Sequence, residues 1–267
     1  MAKLFLGTKE SSPVIKETIY LPQEKFGLTI DTFVGEVDEN GVLQRPTTPT
    51  VLNFAGITEI GSNALHYAFY GHIGITSVDL SSLENVGSNG LSYAFCDCWS
   101  ITSVDLSSLQ SVGSSGMRCA FSYCTSITGT LDLSSLQSVG YSGLDNAFEG
   151  CTGITSVDLR LLQSIGEDGL YHAFYYCKGI TSVDLSSLQS IGGNGLTYAF
   201  YGCTGLTTIS FPSLTSVQTN SFSSAFNGCT NLEEIYFRAD MQATIEAMTG
   251  YASRFGAPAT CTIYFDL

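Results

Sequence analysis

A unit of 26 residues that repeats along most of the chain constrains this sequence more than anything else in it. It begins at Ile75 as ITSVDLSSLENVGSNGLSYAFCDCWS and begins again at Ile101, Ile127, Ile154, Ile180 and Leu206. The copy at Ile127 carries one extra residue, in ITGTLDL. A partial copy covers about 51–74, and a trailing strand, LEEIYF, occupies 232–237.

Each unit has a readable logic. In ITSVDL, Ile75, Val78 and Leu80 face inward while Thr76, Ser77 and Asp79 face solvent, which predicts a short strand. Leu83 and Val86 add inward anchors, and Gly87 turns the chain. Leu91, Ala94 and Phe95 stand at i, i+3 and i+4, the spacing of one face of a short helical turn. One unit cannot bury its own apolar face. Stacked neighbours share one continuous core, and their strands pair in parallel at about 4.8 Å.

The recurring pattern is carried in one copy by Ile101, Val104 and Leu106, then Leu109, Val112 and Gly113, then Ala120, Phe121 and Cys124. It resembles the BspA-like class of leucine-rich repeats over about 51–237. Two departures stand out: these copies insert Gly-Leu-x-x before Ala-Phe, and Ser replaces the family's Pro after the strand except at Arg160 and Pro212. The resemblance implies an α/β fold. It is a right-handed leucine-rich-repeat solenoid of about seven coils, with a parallel β ribbon on one face, short helical turns opposite and a small N-terminal β element. It also implies a surface protein of the adhesion or matrix-binding kind.

The flanks read differently. Residues 1–50 form a β cap or attachment segment, with strands in KLFLGT, PVIKETIYL and GLTIDTFVGEVDENGVLQ and a hairpin turn at Asp38 to Gly41. The opening dozen residues also resemble the starts of some tail proteins of gut bacteriophages. Residues 51–237 are the solenoid and 238–267 a helix–strand cap. In that cap Met241, Ile245 and Met248 share a helix side, Gly250 stops the helix, and Cys261, Ile263 and Phe265 alternate along a strand.

Three columns of the repeat are candidates for chemistry. The aspartates Asp79, Asp105, Asp132, Asp158 and Asp184 line the outer strand face about 5 Å apart. They are either a solvated face or a negative stripe, with calcium at Asp105, Asp132 and Asp158 as the metal alternative. The cysteines Cys98, Cys124, Cys151, Cys177, Cys203 and Cys229 form a ladder read as buried free thiols. A straight line of sulfurs does not offer the tetrahedral set that zinc requires. Cys96 and Cys119 lie off the ladder at variable positions open to solvent. Tyrosines around the Ala-Phe turn, Tyr67, Tyr93, Tyr171 and Tyr198 with Tyr175, Tyr176 and Tyr201, suit protein or glycan contact.

Composition closes off several classes. With 10 Lys+Arg against 24 Asp+Glu among 267 residues, the formal net charge is -14. Nucleic acid and anionic membrane surfaces select the opposite sign. No apolar run approaches a membrane span, and Leu4 to Leu6 is too short for a signal peptide. The location is therefore the cell surface if the native gene supplies a leader, and otherwise a phage particle or the cytoplasm. His66, His72 and His172 share no constant neighbours, and no phosphate loop, His-Glu-x-x-His or Gly-x-Ser-x-Gly is present. The expected function is a non-enzymatic, cofactor-free protein- or glycan-binding scaffold in bacterial adhesion or host interaction. The alternative is a phage structural or receptor-binding component, anchored or self-associated through residues 1–50.

Overall fold

The computed structural model describes residues 6–7, 17–20, 50–54, 56–218 and 220–267, where the chain is a parallel-strand solenoid of about eight turns. Each repeat contributes one long strand, among them Ile75–Asp79, Ser103–Asp105, Gly153–Asp158 and Thr208–Phe211. Neighbours pair in parallel, with equivalent residues opposite one another: Val78 with Val104, Val157 with Val183, Ile209 with Ile235. The ladder is interrupted before Thr128–Asp132, where the copy carries its extra residue beside Gly129, and again between Ser182–Asp184 and Thr208–Phe211. In the next pair the register slips between Ile154 and Ser156.

A second ribbon lies alongside the first. Seven strands of two residues each, from Glu59–Ile60 through Asn85–Val86 to Ser216–Val217, pair in parallel throughout. Val86, read as an inward anchor, thus belongs to a β ladder too short to show any periodicity, and Leu83 precedes it as a buried turn residue. Beside it the turn glycines are required by close approach of the coils rather than by a special dihedral angle. A Cβ on Gly192 would sit 2.6 Å from the Glu167 nitrogen and Gly166 carbonyl carbon of the preceding coil.

The segment opposite the strands contains no helix, contrary to the i, i+3, i+4 reading. Leu91, Ala94 and Phe95 are all fully buried, but they lie on a run of overlapping tight turns. The amides of Gly90, Ser92, Ala94, Cys96 and Cys98 donate to the carbonyl three residues back, at 2.9–3.4 Å. Those of Asn89, Leu91, Tyr93, Phe95 and Asp97 donate instead to the next coil, to Ser114, Gly116, Arg118, Ala120 and Ser122, at 2.7–3.0 Å. A helix would spend every amide within its own coil. Alternation satisfies all of them and also ties coil to coil. It requires a positive φ at every fourth residue, as at Asn89 (54°), Tyr93 (56°) and Asp97 (61°).

The interior is ordered as columns. Phe69, Phe95, Phe121, Phe148, Phe174, Phe200 and Phe226 form one stack, with centroids 5.1–6.1 Å apart and planes within 13° of parallel. At the N-terminal end Leu6–Gly7 pairs antiparallel with Glu17–Tyr20, which runs parallel to Thr50–Asn53. The turn expected at Asp38 to Gly41 lies outside the described residues. At the other end Met241 and Ile245, flanking and within the helix Gln242–Glu246, are buried, and Thr262–Phe265 adds a last parallel strand beside Glu234–Phe237. The carbonyl of Phe255 accepts the amide of Phe226 at 3.1 Å, so this segment takes the place of a further coil.

Candidate functional site

The aspartate column lies where the strand pattern puts it. Asn53, Asp79 and Asp105 stand opposite one another, as do Asp132, Asp158 and Asp184. Their carboxylates are occupied locally. In every copy the aspartate Oδ1 accepts the backbone amide two residues on: Ser81 at 3.0 Å, Ser107 at 3.0 Å, Ser134 at 2.9 Å, Arg160 at 3.2 Å and Ser186 at 3.0 Å. This Asx turn closes each strand into the bend that follows. Asp158 also receives Arg160 Nε at 2.9 Å, and this hydrogen bond holds its carboxyl below the usual carboxylate range. A shallow groove of about 350 Å³ runs past Thr130, Ser156, Asp158, Ser182, Asp184 and Ser210. Among the described residues no group of three or more His, Cys, Asp or Glu side chains is placed to hold a metal.

The cysteine ladder is built into the backbone. Each thiol donates to the carbonyl of the stacked phenylalanine in the preceding coil: Cys98 to Phe69 at 3.0 Å, Cys124 to Phe95 at 3.1 Å, Cys151 to Phe121 at 3.1 Å, Cys177 to Phe148 at 3.0 Å, Cys203 to Phe174 at 3.2 Å and Cys229 to Phe200 at 2.9 Å. The same carbonyls already accept a turn amide, so the sulfur fills the second lone pair. Burial pushes the Cys177 and Cys229 thiols up to about 12 and the others well above their ordinary value where a shift is resolved. Cys96 and Cys119 correct the sequence reading, because both are buried, at 7% and 9% exposure. Desolvation raises their thiols to about 12 and about 11.

The turn face is where coils differ from one another. Equivalent positions along it hold Tyr67, Tyr93, Cys119, Asn146, His172 and Tyr198, all with positive φ. Near the first coils Tyr67 and Tyr93 stack at 4.5 Å with planes 3° apart. Further along, His172 sits among Tyr171, Tyr175 and Tyr198 at 4.2–4.9 Å, and Tyr175 stacks on Tyr201 at 4.6 Å. Desolvation lowers the pKa of His172, so the ring in this cluster is neutral near pH 7. Between these two aromatic groups lies a polar stretch. Arg118 Nε meets the Asp145 carboxylate at 3.0 Å, and Asn146 hydrogen-bonds the same carboxylate. Burial raises Asp145 to about 6 against the pull of Arg118 and Asn146.

Sequence reasoning passed over Tyr123 and Glu149, which belong to this face. Tyr123 is 45% exposed, and its hydroxyl donates to Glu149 Oε1 of the next coil at 2.7 Å. The missed signal lies in the column Gly71, Asp97, Tyr123, Gly150, Tyr176, Gly202 and Gly228, where each tyrosine is followed one coil later by glycine.

The family model for the BspA type leucine rich repeat region matches residues 51–168 and 118–248, with six copies. None of the curated proteins matches the chain. Among solved structures, a leucine rich repeat protein of T. pallidum aligns at 19% identity over 92% of each chain with a TM-score of 0.50, a likeness of fold. A leucine rich cell surface protein from Faecalibacterium prausnitzii A2-165 aligns at 21% identity with a TM-score of 0.49, over 83% of this chain and 50% of that one.

Proposed function

The chain belongs to the BspA-type leucine-rich-repeat family, and on that premise we propose that it is a binding scaffold at a bacterial surface that engages a protein or glycan through its turn face. The observation that carries this reading is the division of labour between the two faces. On the strand face the recurring carboxylates are engaged in Asx turns, so that column repeats for reasons of folding. On the turn face equivalent positions hold different residues, and half-exposed tyrosines gather there. Tyr contributes apolar area and a hydroxyl at low conformational cost, which suits it to recognition. Repeat solenoids of this family and fold are typically non-enzymatic scaffolds. No helix among the described residues is long and apolar enough to cross a membrane.

The test is a panel of immobilised neutral glycans and purified extracellular-matrix proteins, read for saturable binding. Tyr198→Ala on the turn face should weaken the interaction, while Asp184→Asn, which keeps the turn acceptor on the strand face, should leave it unchanged. Binding that tracks Asp184 and ignores Tyr198 would move the site to the strand face and overturn the assignment.

A further inference from the structure

Tyr123 and Tyr176 occupy the same position in coils two apart, and each is followed in the next coil by a glycine at that position, Gly150 and Gly202. The pairing is steric. A Cβ on Gly150 would lie 2.7 Å from Tyr123 Cδ1, and one on Gly202 would lie 2.6 Å from Tyr176 Cδ1. Both rings therefore run along the solenoid axis and lie across the following coil. Tyr123 is pinned at its tip by Glu149. Tyr176 stands perpendicular to the cross-coil stack, at 83° to Tyr201 and 80° to Tyr175. The two rings remain 45% and 43% exposed. Adjacent phenylalanines of these coils are 5.6 and 5.9 Å apart, which puts the two tyrosines about 11 Å apart along the axis.

We propose that Tyr123 and Tyr176, with Glu149 between them, form a stacking platform for a neutral, extended, β-linked polysaccharide lying along the solenoid. This rests on the binding-scaffold reading and gives it a ligand class. A β-linked pyranose chain turns the same C–H face to one side at every second sugar, and the two tyrosines are set one such step apart. Aromatic faces carry partial negative charge and attract those C–H groups. The hydroxyls at the sugar edges need partners in between. The Glu149 carboxylate supplies an acceptor, and the Lys178 ammonium, which lies over the Tyr176 ring at 5.8 Å from its centroid, supplies a donor once a docked sugar displaces it to the ring edge. Charge selects a neutral chain over an anionic one, because Glu149 lies in the platform, Asp97 precedes Tyr123 in its column, and the molecule carries -14 overall. A protein partner would instead look for a contiguous apolar centre. Here a carboxylate divides the two ring faces.

Affinity electrophoresis in native gels containing hydroxyethyl cellulose, glucomannan or arabinoxylan tests this, with pectate as the anionic comparison. Retardation by at least one neutral polymer and none by pectate is expected. Tyr123→Ala and Tyr176→Ala should each weaken it by about two- to tenfold, and the double variant should abolish it. Tyr123→Phe should lose less than Tyr123→Ala, and Tyr141→Ala, an exposed tyrosine outside this column, should change nothing. Thermal midpoints of all variants within a few degrees of the parent show that the fold persists. No retardation by any neutral polymer, or retardation unchanged in the double variant, overturns the platform. If matrix-protein binding survives that result, only the ligand class falls. If neither glycan nor protein binds, the scaffold reading falls with it.

Discussion

A thiol that donates to a carbonyl in a buried column is chemically quiet, because the reactive form is the thiolate and burial opposes it. All nine cysteines are buried free thiols. Native protein at pH 8 should therefore react slowly with Ellman's reagent at every thiol and report all nine on unfolding. Rapid labelling of two or more in the native state would contradict the ladder. Asp145 behaves in the opposite sense from a surface carboxylate. Its folded pKa of about 6 lies above the ordinary aspartate value of 3.8, so the folded state holds the proton more tightly. Stability from this group is full below about pH 4 and lost as pH rises to about 6, by roughly 1–3 kcal/mol. Asp145→Asn should remove that component from a plot of thermal midpoint against pH. A parent and variant with parallel profiles over this window would refute it. The ladder cysteines could be read in advance because their period announces them. Asp145 could not, because its ion-pair partner Arg118 stands on the preceding coil.

The turn segment shows where sequence spacing runs out. Leu91, Ala94 and Phe95 recur at helical intervals, yet tandem turns bury the same residues. What separates the two conformations is the destination of alternate amides, and that is decided by a neighbour 25 residues away. The cost is a left-handed dihedral at residues other than glycine, among them Ser115 with φ of 52°. Ser115→Gly should raise stability by a few tenths to about 1 kcal/mol, and Ser115→Val should lower it by at least that amount. Equilibrium denaturation with equal m-values reads both, and a destabilised glycine variant would argue against strain at this position. Phe148 sits within the ring stack, so Phe148→Ala should cost about 3–5 kcal/mol. A loss below 1 kcal/mol would mean that the stack adds little.

At the scale of the molecule, period and register matter more than any single contact, because each coil touches chiefly its two neighbours. Deleting residues 180–205 removes one complete period and brings Gly228 to the place of Gly202 beneath Tyr176. That shorter chain should fold with the same circular dichroism shape per residue and a modestly lower thermal midpoint, whereas deleting 180–192 should unfold it. Equal tolerance of both deletions would be incompatible with coil-by-coil stacking. The solenoid was legible because a repeat advertises itself many times over. The paired use of Tyr176 and Gly202 was not, because it is written across coils and not within one.

The cross-coil bonds of the turn face all point one way. The amide of Asn63 donates to Ser88, the next amide, Asn89, to Ser114, then Ser115 to Tyr141, Ser142 to Glu167 and Asp168 to Gly193. Each peptide in such a row accepts from the coil before it and donates to the coil after it, so the peptide dipoles add head to tail as they do in a helix. Their sense relative to the chain is reversed: carbonyls face the first coil and amides face the last. This side of the molecule is therefore electrically polarised along its length, negative at the N-terminal end and positive at the C-terminal end, before any side-chain charge is counted. A charged group approaching end-on meets a different field at each end, and an ion that is welcome at one is repelled at the other.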